Sequence, residues 1–221
     1  MAVCVVFYFL QIIPGLNFTD AVLYAPVYSF GQFGSEGIPY EPWRMITAMF
    51  AHSTGSGGLW GSIPFHLLVN MYTLWIFGQV LETMLGRGRY LALYMLGGLA
   101  GSLGVFLWSM VDPNTLTTGM IGASGAIFAL MAAYVVIQRS LGGNTSQLMV
   151  LIAINLVIGF LPGTGISWQA HLGGLIGGAV IGMAMSIKFS TNRRRNQTLA
   201  TAGIAVAMLA IALSQAPIIV G

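Results

Sequence analysis

Gly122-Ala123-Ser124-Gly125-Ala126-Ile127-Phe128 is a turn of small residues opening an apolar helix that is expected to run to Gln138. It places one hydroxyl where lipid is expected. The pattern Gly-x-Ser-Gly alone is read equally well as packing, since Gly and Ser are common where two membrane helices approach closely. Outward from this stretch, the 221 residues are 57% hydrophobic and 6% charged, with a mean hydropathy of +0.85. No ordinary water-facing surface can be built from such a chain, which reads as a polytopic membrane protein. Each span must satisfy its own backbone, which leaves helices or a closed barrel, and the apolar runs are far longer than barrel strands of about ten residues. The expected fold class is all-α.

Measured against about 20 residues per crossing, the apolar runs give seven candidate spans, at about 1–16, 64–85, 90–110, 122–138, 147–163, 169–187 and 198–215. Arg87, Arg89, Arg139, Lys188, Arg193, Arg194 and Arg195 fall in the loops after the second, fourth and sixth spans. The positive-inside rule makes those loops cytoplasmic. Arg44 lies on the other side with Asp20, Glu36, Glu41 and Asp112, so the N-terminus is expected inside and the C-terminus outside. The net charge of +3 therefore reports topology. The expected partner surface is the lipid bilayer and not a nucleic acid, which would need a basic face. Cys4 is the only cysteine, so an intrachain disulfide or a thiolate metal cluster is not expected. The first run has no basic region before it and does not read as a removable signal peptide; it is short for a span, which leaves room for sequence upstream.

Pro14 to Ile63 reads as an interfacial loop. Tyr24, Tyr28, Phe30, Phe33, Tyr40 and Trp43 suit the membrane–water boundary, where an apolar ring and a polar tip are both satisfied, and Gly55-Ser56-Gly57-Gly58 ends the segment flexibly. Gly97, Gly101 and Gly104 on the third span, and Gly174, Gly178 and Gly182 on the sixth, are expected to permit close helix contact.

Helix arithmetic tests whether Ser124 belongs to a site. With Arg139 as inner anchor, Ser124 lies ~22 Å along its helix, inside a hydrocarbon layer of ~30 Å. His171 begins the sixth span and Asn70 lies 15 residues before Leu85 in the second, so three helices bring polar groups to one depth. His66 and Asn70, four residues apart, share a face. A serine, a histidine and an amide donor are the parts of acyl transfer: nucleophile, general base and acid, and oxyanion donor. A helix N-terminus at Ser124 adds free backbone N–H groups. No acid is available to orient the histidine, because four of the five acids lie in outer loops and Glu82 lies near the inner end of its helix. A dyad is expected, with Phe128 either stacking on the His171 ring or packing as an ordinary apolar residue. An aspartyl site would need two carboxylates within the bilayer, and a His-Glu-x-x-His zinc motif is absent. No metal and no cofactor are expected.

These residues resemble the rhomboid intramembrane serine proteases, in order along nearly the whole chain. The match runs through Trp43-Arg44, His52, His66 with Asn70, Gly78 with Glu82, Gly122 to Gly125, and Ala170-His171 with Gly174 and Gly178. Phe128 stands where many members have Tyr, and the loop between His52 and His66 is longer than in compact bacterial members. The resemblance implies Ser124 as nucleophile, His171 as its partner, and an oxyanion hole of Asn70, His66 and the Ser124 backbone N–H. It implies supporting roles for Phe128, Gly122, Gly125 and His52, and structural ones for Trp43, Arg44, Glu82, Gly174 and Gly178. Trp43-Arg44 is most simply an interfacial anchor, and Glu82 with Arg87 or Arg89 an inner-face cluster. The implied organisation is a six-helix catalytic core over 1–187, a basic cytoplasmic linker over 188–197 and an additional helix over 198–221, in a bacterial cytoplasmic membrane. The implied activity is hydrolysis of peptide bonds in or near transmembrane segments of other proteins. The rivals are a catalytically inactive rhomboid-like binder of transmembrane helices and a small transporter; the transporter is disfavoured by the absence of a midplane acid or internal repeat.

Overall fold

The computed structural model describes residues 1–26, 41–55, 64–161, 164–186 and 192–214. Its elements are α1 (Ala2–Gln11), α2 (Phe18–Val22), α3 (Arg44–Thr47), α4 (Phe65–Leu85), α5 (Arg87–Ser109), a 3-10 turn (Pro113–Thr117), α6 (Ser124–Ser140), α7 (Ser146–Gly159), α8 (Trp168–Met185) and α9 (Arg193–Ser214). Among the described residues the fold is all-helical; extended pairing is confined to one isolated antiparallel bridge between Tyr24 and Met120. α5 and the Arg194–Leu213 stretch of α9 are long and apolar enough to cross a bilayer, whereas α1, α6 and α7 are shorter apolar helices.

α6 is the central helix: Gly125 to Ala133 are buried without interruption, so every side of it meets protein. It packs chiefly on α8 and α5, and α8 in turn on α5. Glycine makes that triple contact possible. Gly174 and Gly178 of α8 lie against the backbone carbonyls of Gly125 and Ala129, and a Cβ placed on Gly182 would stand 2.8 Å from Ala133 Cα. On the α5 side, a Cβ on Gly104 would stand 2.6 Å from the Gln169 carbonyl oxygen and 2.9 Å from Gly173 Cα. With so little between the axes, van der Waals contact is gained along the whole length, the main source of helix association in lipid.

The periphery is apolar. In α7 only Gly159 is buried, while Met149, Val150, Ile154 and Val157 are exposed. On α4, Leu68, Tyr72, Trp75 and Ile76 face outward. A surface of this kind suits hydrocarbon and not water.

Three element boundaries differ from those expected. α1 stops at Gln11 because Pro14 and the positive-φ Gly15 (φ +79°) turn the chain before residue 16. α7 stops at Gly159, which packs under Trp168. α9 starts at Arg193 and takes the triple-arginine segment into the helix: Arg propagates a helix well, and Gln197 tethers this turn by donating to the Met185 carbonyl (2.7 Å) and accepting from Arg89 (2.8 Å).

Glycine substitutions separate contact from propensity. Gly104→Ala is expected to lower thermal stability, by about 1–3 kcal/mol of overpacking. Gly203→Ala, on a helix where an added Cβ meets nothing within 4 Å, is expected to be neutral or to stabilise by up to about 1 kcal/mol. Melting of both variants in one detergent checks the difference in sign.

Candidate active site

The chain does not enter α6 as a straight helix. After the 3-10 turn the chain is exposed at Thr118 and Gly119 and then passes inside through Met120 to Gly122 without helix, and each backbone group there needs a partner if it lies at membrane depth. Tyr24 and Met120 exchange two hydrogen bonds (3.1 and 2.7 Å), and Gly122 N–H donates to the Ala48 carbonyl (2.9 Å). Gly122 has φ +131°, a conformation that favours glycine, and a Cβ on it would stand 2.9 Å from His66 Cε1 and 3.1 Å from Nε2. Backbone geometry and space both select glycine at this position. The helix begins at Ser124 without a side-chain cap, so its first N–H groups have no intrahelical acceptor.

Against this helix start, α8 places His171. Its Nε2 lies 3.0 Å from Ser124 Oγ. Phe128, one turn into α6, stacks on the imidazole with ring centroids 4.1 Å apart and planes inclined by 16°, so of the two expected readings of Phe128 the structure has ring stacking. His171 Nδ1 is buried and finds no hydrogen-bond partner among the described residues. Ring stacking therefore holds the imidazole where a carboxylate holds it in a triad.

The start of α4 brings a second imidazole to the turn. His66 Nδ1 accepts from Ser53 N–H (3.1 Å), so the neutral ring carries its proton on Nε2, the atom beside Gly122. Asn70 is buried, and its amide donates to the His66 carbonyl one turn earlier (2.7 Å), leaving its second N–H for another acceptor. His52 is fully buried; its ring lies 5.2 Å from that of His66, and its Nδ1 donates to the Phe50 carbonyl (3.2 Å). Gly125 and Gly174 are in direct contact beneath Ser124.

The loop residues take other positions than the sequence suggests. Tyr24 is wholly buried, not interfacial, because its backbone pairing with Met120 draws it into the protein. Arg44 is also drawn in: it bonds Glu41 and the carbonyls of Asp20 and Leu23, stapling α2 to α3, while Trp43 beside it is exposed. Ser102 Oγ of α5 donates to the Met45 carbonyl (2.8 Å) and fixes α3 from the other side. Glu82 pairs with Arg87 (3.0 Å) on the surface, a contact worth little, while Arg89 turns to Gln197. Tyr28, Phe30, Phe33, Glu36, Tyr40, Ser56 to Gly58 and Lys188 lie outside the described residues. Gln11 and Ser53, which organise the His52–His66 region, were missed by sequence reasoning. The available signal was Gln11 itself, an amide within an apolar run.

Burial, with the neighbouring His66 adding to it, pushes the His52 pKa down to about 3. The unfolded value is about 6.5, so the folded protein holds His52 neutral. This stability is fully present above about pH 6.5 and is lost as pH falls toward 3. Melting temperature is expected to drop between pH 7 and pH 4, and His52→Gln, which retains a donor for Phe50, is expected to flatten that drop. Equal slopes in the two proteins would show that His52 does not contribute.

A family profile described as the Rhomboid domain matches residues 39–188. The chain is 34% identical over 155 residues to the rhomboid protease GluP of Bacillus subtilis (strain 168), covering 66% of this chain and 27% of that one. It is 34% identical over 157 residues to RHOMBOID-like protein 6, mitochondrial, of Arabidopsis thaliana (66% and 44%). Over 166 residues it is 30% identical to the rhomboid protease AarA of Providencia stuartii (64% and 55%). The chain thus spans between about a quarter and about half of the length of these relatives. With the profile covering 150 residues of the 221, the chain belongs to the rhomboid family and is an integral membrane protein.

Proposed function

We propose that the protein is an intramembrane serine endopeptidase that cuts peptide bonds in or near transmembrane segments of other proteins. One observation carries the reading: Ser124 Oγ and His171 Nε2 are 3.0 Å apart at a helix start enclosed by protein. Two of the relatives bear the name rhomboid protease, which supports the same activity here.

In this reading Ser124 Oγ attacks the scissile carbonyl carbon as its proton passes to His171 Nε2. The carbonyl oxygen becomes anionic and is met by His66 Nε2–H, the free Asn70 N–H and the Ser124 backbone N–H. Collapse expels the amine, which takes the proton from Nε2, and leaves an ester on Oγ. Water then attacks the ester, gives a proton to His171, and releases the new carboxyl terminus while Oγ recovers its hydrogen. Preorganised donors are the largest expected contribution; the bonds of Ser53 N–H to His66 and of Asn70 to the His66 carbonyl support that reading.

The core over 1–187 would then carry the catalysis, with α9 as an added helix that packs on α8 and α5 through Ile204, Met208 and Ala212. The basic segment around Arg193 to Arg195 would face the cytoplasm and the site would open to the outer side. An inactive helix-binding protein is the rival reading; it has no use for the Ser124–His171 contact.

Ser124→Ala is expected to abolish cleavage of a generic model transmembrane substrate while the protein accumulates and melts as before; cleavage by that variant would refute serine catalysis. Asn70→Ala is expected to lower kcat by roughly 10²–10³-fold with little change in KM, by analogy with loss of one donor from a soluble oxyanion hole. If Asn70 only ties the helix together, the variant instead loses about 0.6 kcal/mol of stability and keeps its turnover per folded molecule.

A further inference from the structure

We propose that Gln11, at the end of α1, is a positioning residue that sets the tautomer and placement of His66, and so prepares the oxyanion donor from outside the site. The inference rests on the proteolytic reading above, and goes beyond it in naming a group that never meets the substrate.

The chain of contacts is short. Gln11 Oε1 accepts from His52 N–H (2.9 Å) and Gln11 Nε2 donates to the His52 carbonyl (3.0 Å). One side-chain amide thus grips both backbone groups of a residue 41 positions away. The same Nε2 donates to Thr19 Oγ1 (3.0 Å), which ties the grip to α2. The orientation of the amide is forced, because turning it over would set two donors and two acceptors face to face. The next residue after the gripped one, Ser53, donates its backbone N–H to His66 Nδ1. His66 therefore holds its proton on Nε2, the atom next to the Gly122 turn.

Two features make this more than local packing. A backbone N–H is a poor anchor unless the backbone is itself held, and residues 51–55 belong to no helix or strand. Without Ser53 N–H at Nδ1, the neutral imidazole is free to carry its proton on that nitrogen instead. Nε2 would then present a lone pair to a developing anion, turning an attraction into a repulsion. The amide of Gln11 supplies the missing restraint, since two opposed hydrogen bonds fix both position and rotation of the His52 peptide groups.

The test is a double-mutant cycle on turnover of a model transmembrane substrate, using Gln11→Met and His66→Ala, singly and together, with the full chain in detergent. Gln11→Met is expected to lower kcat roughly ten- to a hundredfold, as misplacement of about an ångström does, with KM within about twofold. In the His66→Ala background it is expected to add almost nothing, since residues acting through one group are not additive. The same fold loss in both backgrounds, or unchanged kcat in Gln11→Met, overturns the proposal. Gln11→Glu is the isosteric alternative if Gln11→Met does not accumulate: it still accepts from His52 N–H but sets oxygen against the His52 carbonyl, and the same cycle applies. Independently of any Gln11 variant, 15N-histidine NMR of the wild type, assigned with His66→Ala, is expected to find His66 protonated on Nε2; protonation on Nδ1 overturns the proposal. Wild-type protein that cleaves nothing would count against the proteolytic reading instead, and the NMR result would still decide the His66 tautomer.

Discussion

Everything at the site depends on how closely α8 approaches α6. Two helices carrying ordinary side chains pack with axes 8–10 Å apart, held off by the side chains between them. Here the glycines at 174, 178 and 182 remove the side chains on the face that meets α6, and backbone touches backbone. In lipid that contact has no hydrophobic driving force behind it and relies on dispersion along the seam. It is also stiff, because a backbone cannot move aside as a flexible side chain can. That stiffness suits the dyad proposed above, which has no carboxylate: His171 is located by α8, by the stacked ring of Phe128 and by its contact with Ser124 Oγ.

A second constraint comes from the chain outside the main helices. α6 is a short helix of 17 residues, beginning after non-helical backbone that lipid would not tolerate. The protein meets this by surrounding the turn with acceptors and donors from the loop before α4: the Ala48 carbonyl, the Tyr24 backbone and, through Ser53, the His66 ring. The described parts of the stretch between α1 and α4, residues 12–26 and 41–55, thereby form part of the site's wall. Arg44 and Ser102 hold its middle, and Gln11 holds its end.

Much of this was legible in the residues. Apolar runs mark the longer helices but not α2 and α3, which lie in the stretch that reads as a loop, and four-residue spacing places His66 with Asn70, and Ser124 with Phe128, on shared faces. Glycines at the same interval marked the α6–α8 seam. What periodicity cannot express is a contact between an irregular loop and a distant helix end. Tyr24 reads as an interfacial aromatic because sequence records its ring and not its backbone pairing. Arg44 reads as an anchor for the same reason, though its guanidinium is spent on the Glu41 carboxylate and on carbonyls. The grip of Gln11 on His52 joins residues with no common repeat, and only the folded loop brings them together. The arginines at 193–195 read as a linker, whereas they propagate a helix well and Gln197 tethers that first turn to Met185.

Activation of Ser124 by His171 is measured most directly by reaction with an electrophile that acylates activated serines, read by mass spectrometry on the intact protein and its peptides. A single adduct on Ser124 is expected in the wild type, strongly reduced in His171→Ala, where Oγ has lost the imidazole 3.0 Å away. An adduct on another residue, or equal labelling of Ser124 with and without His171, would contradict it.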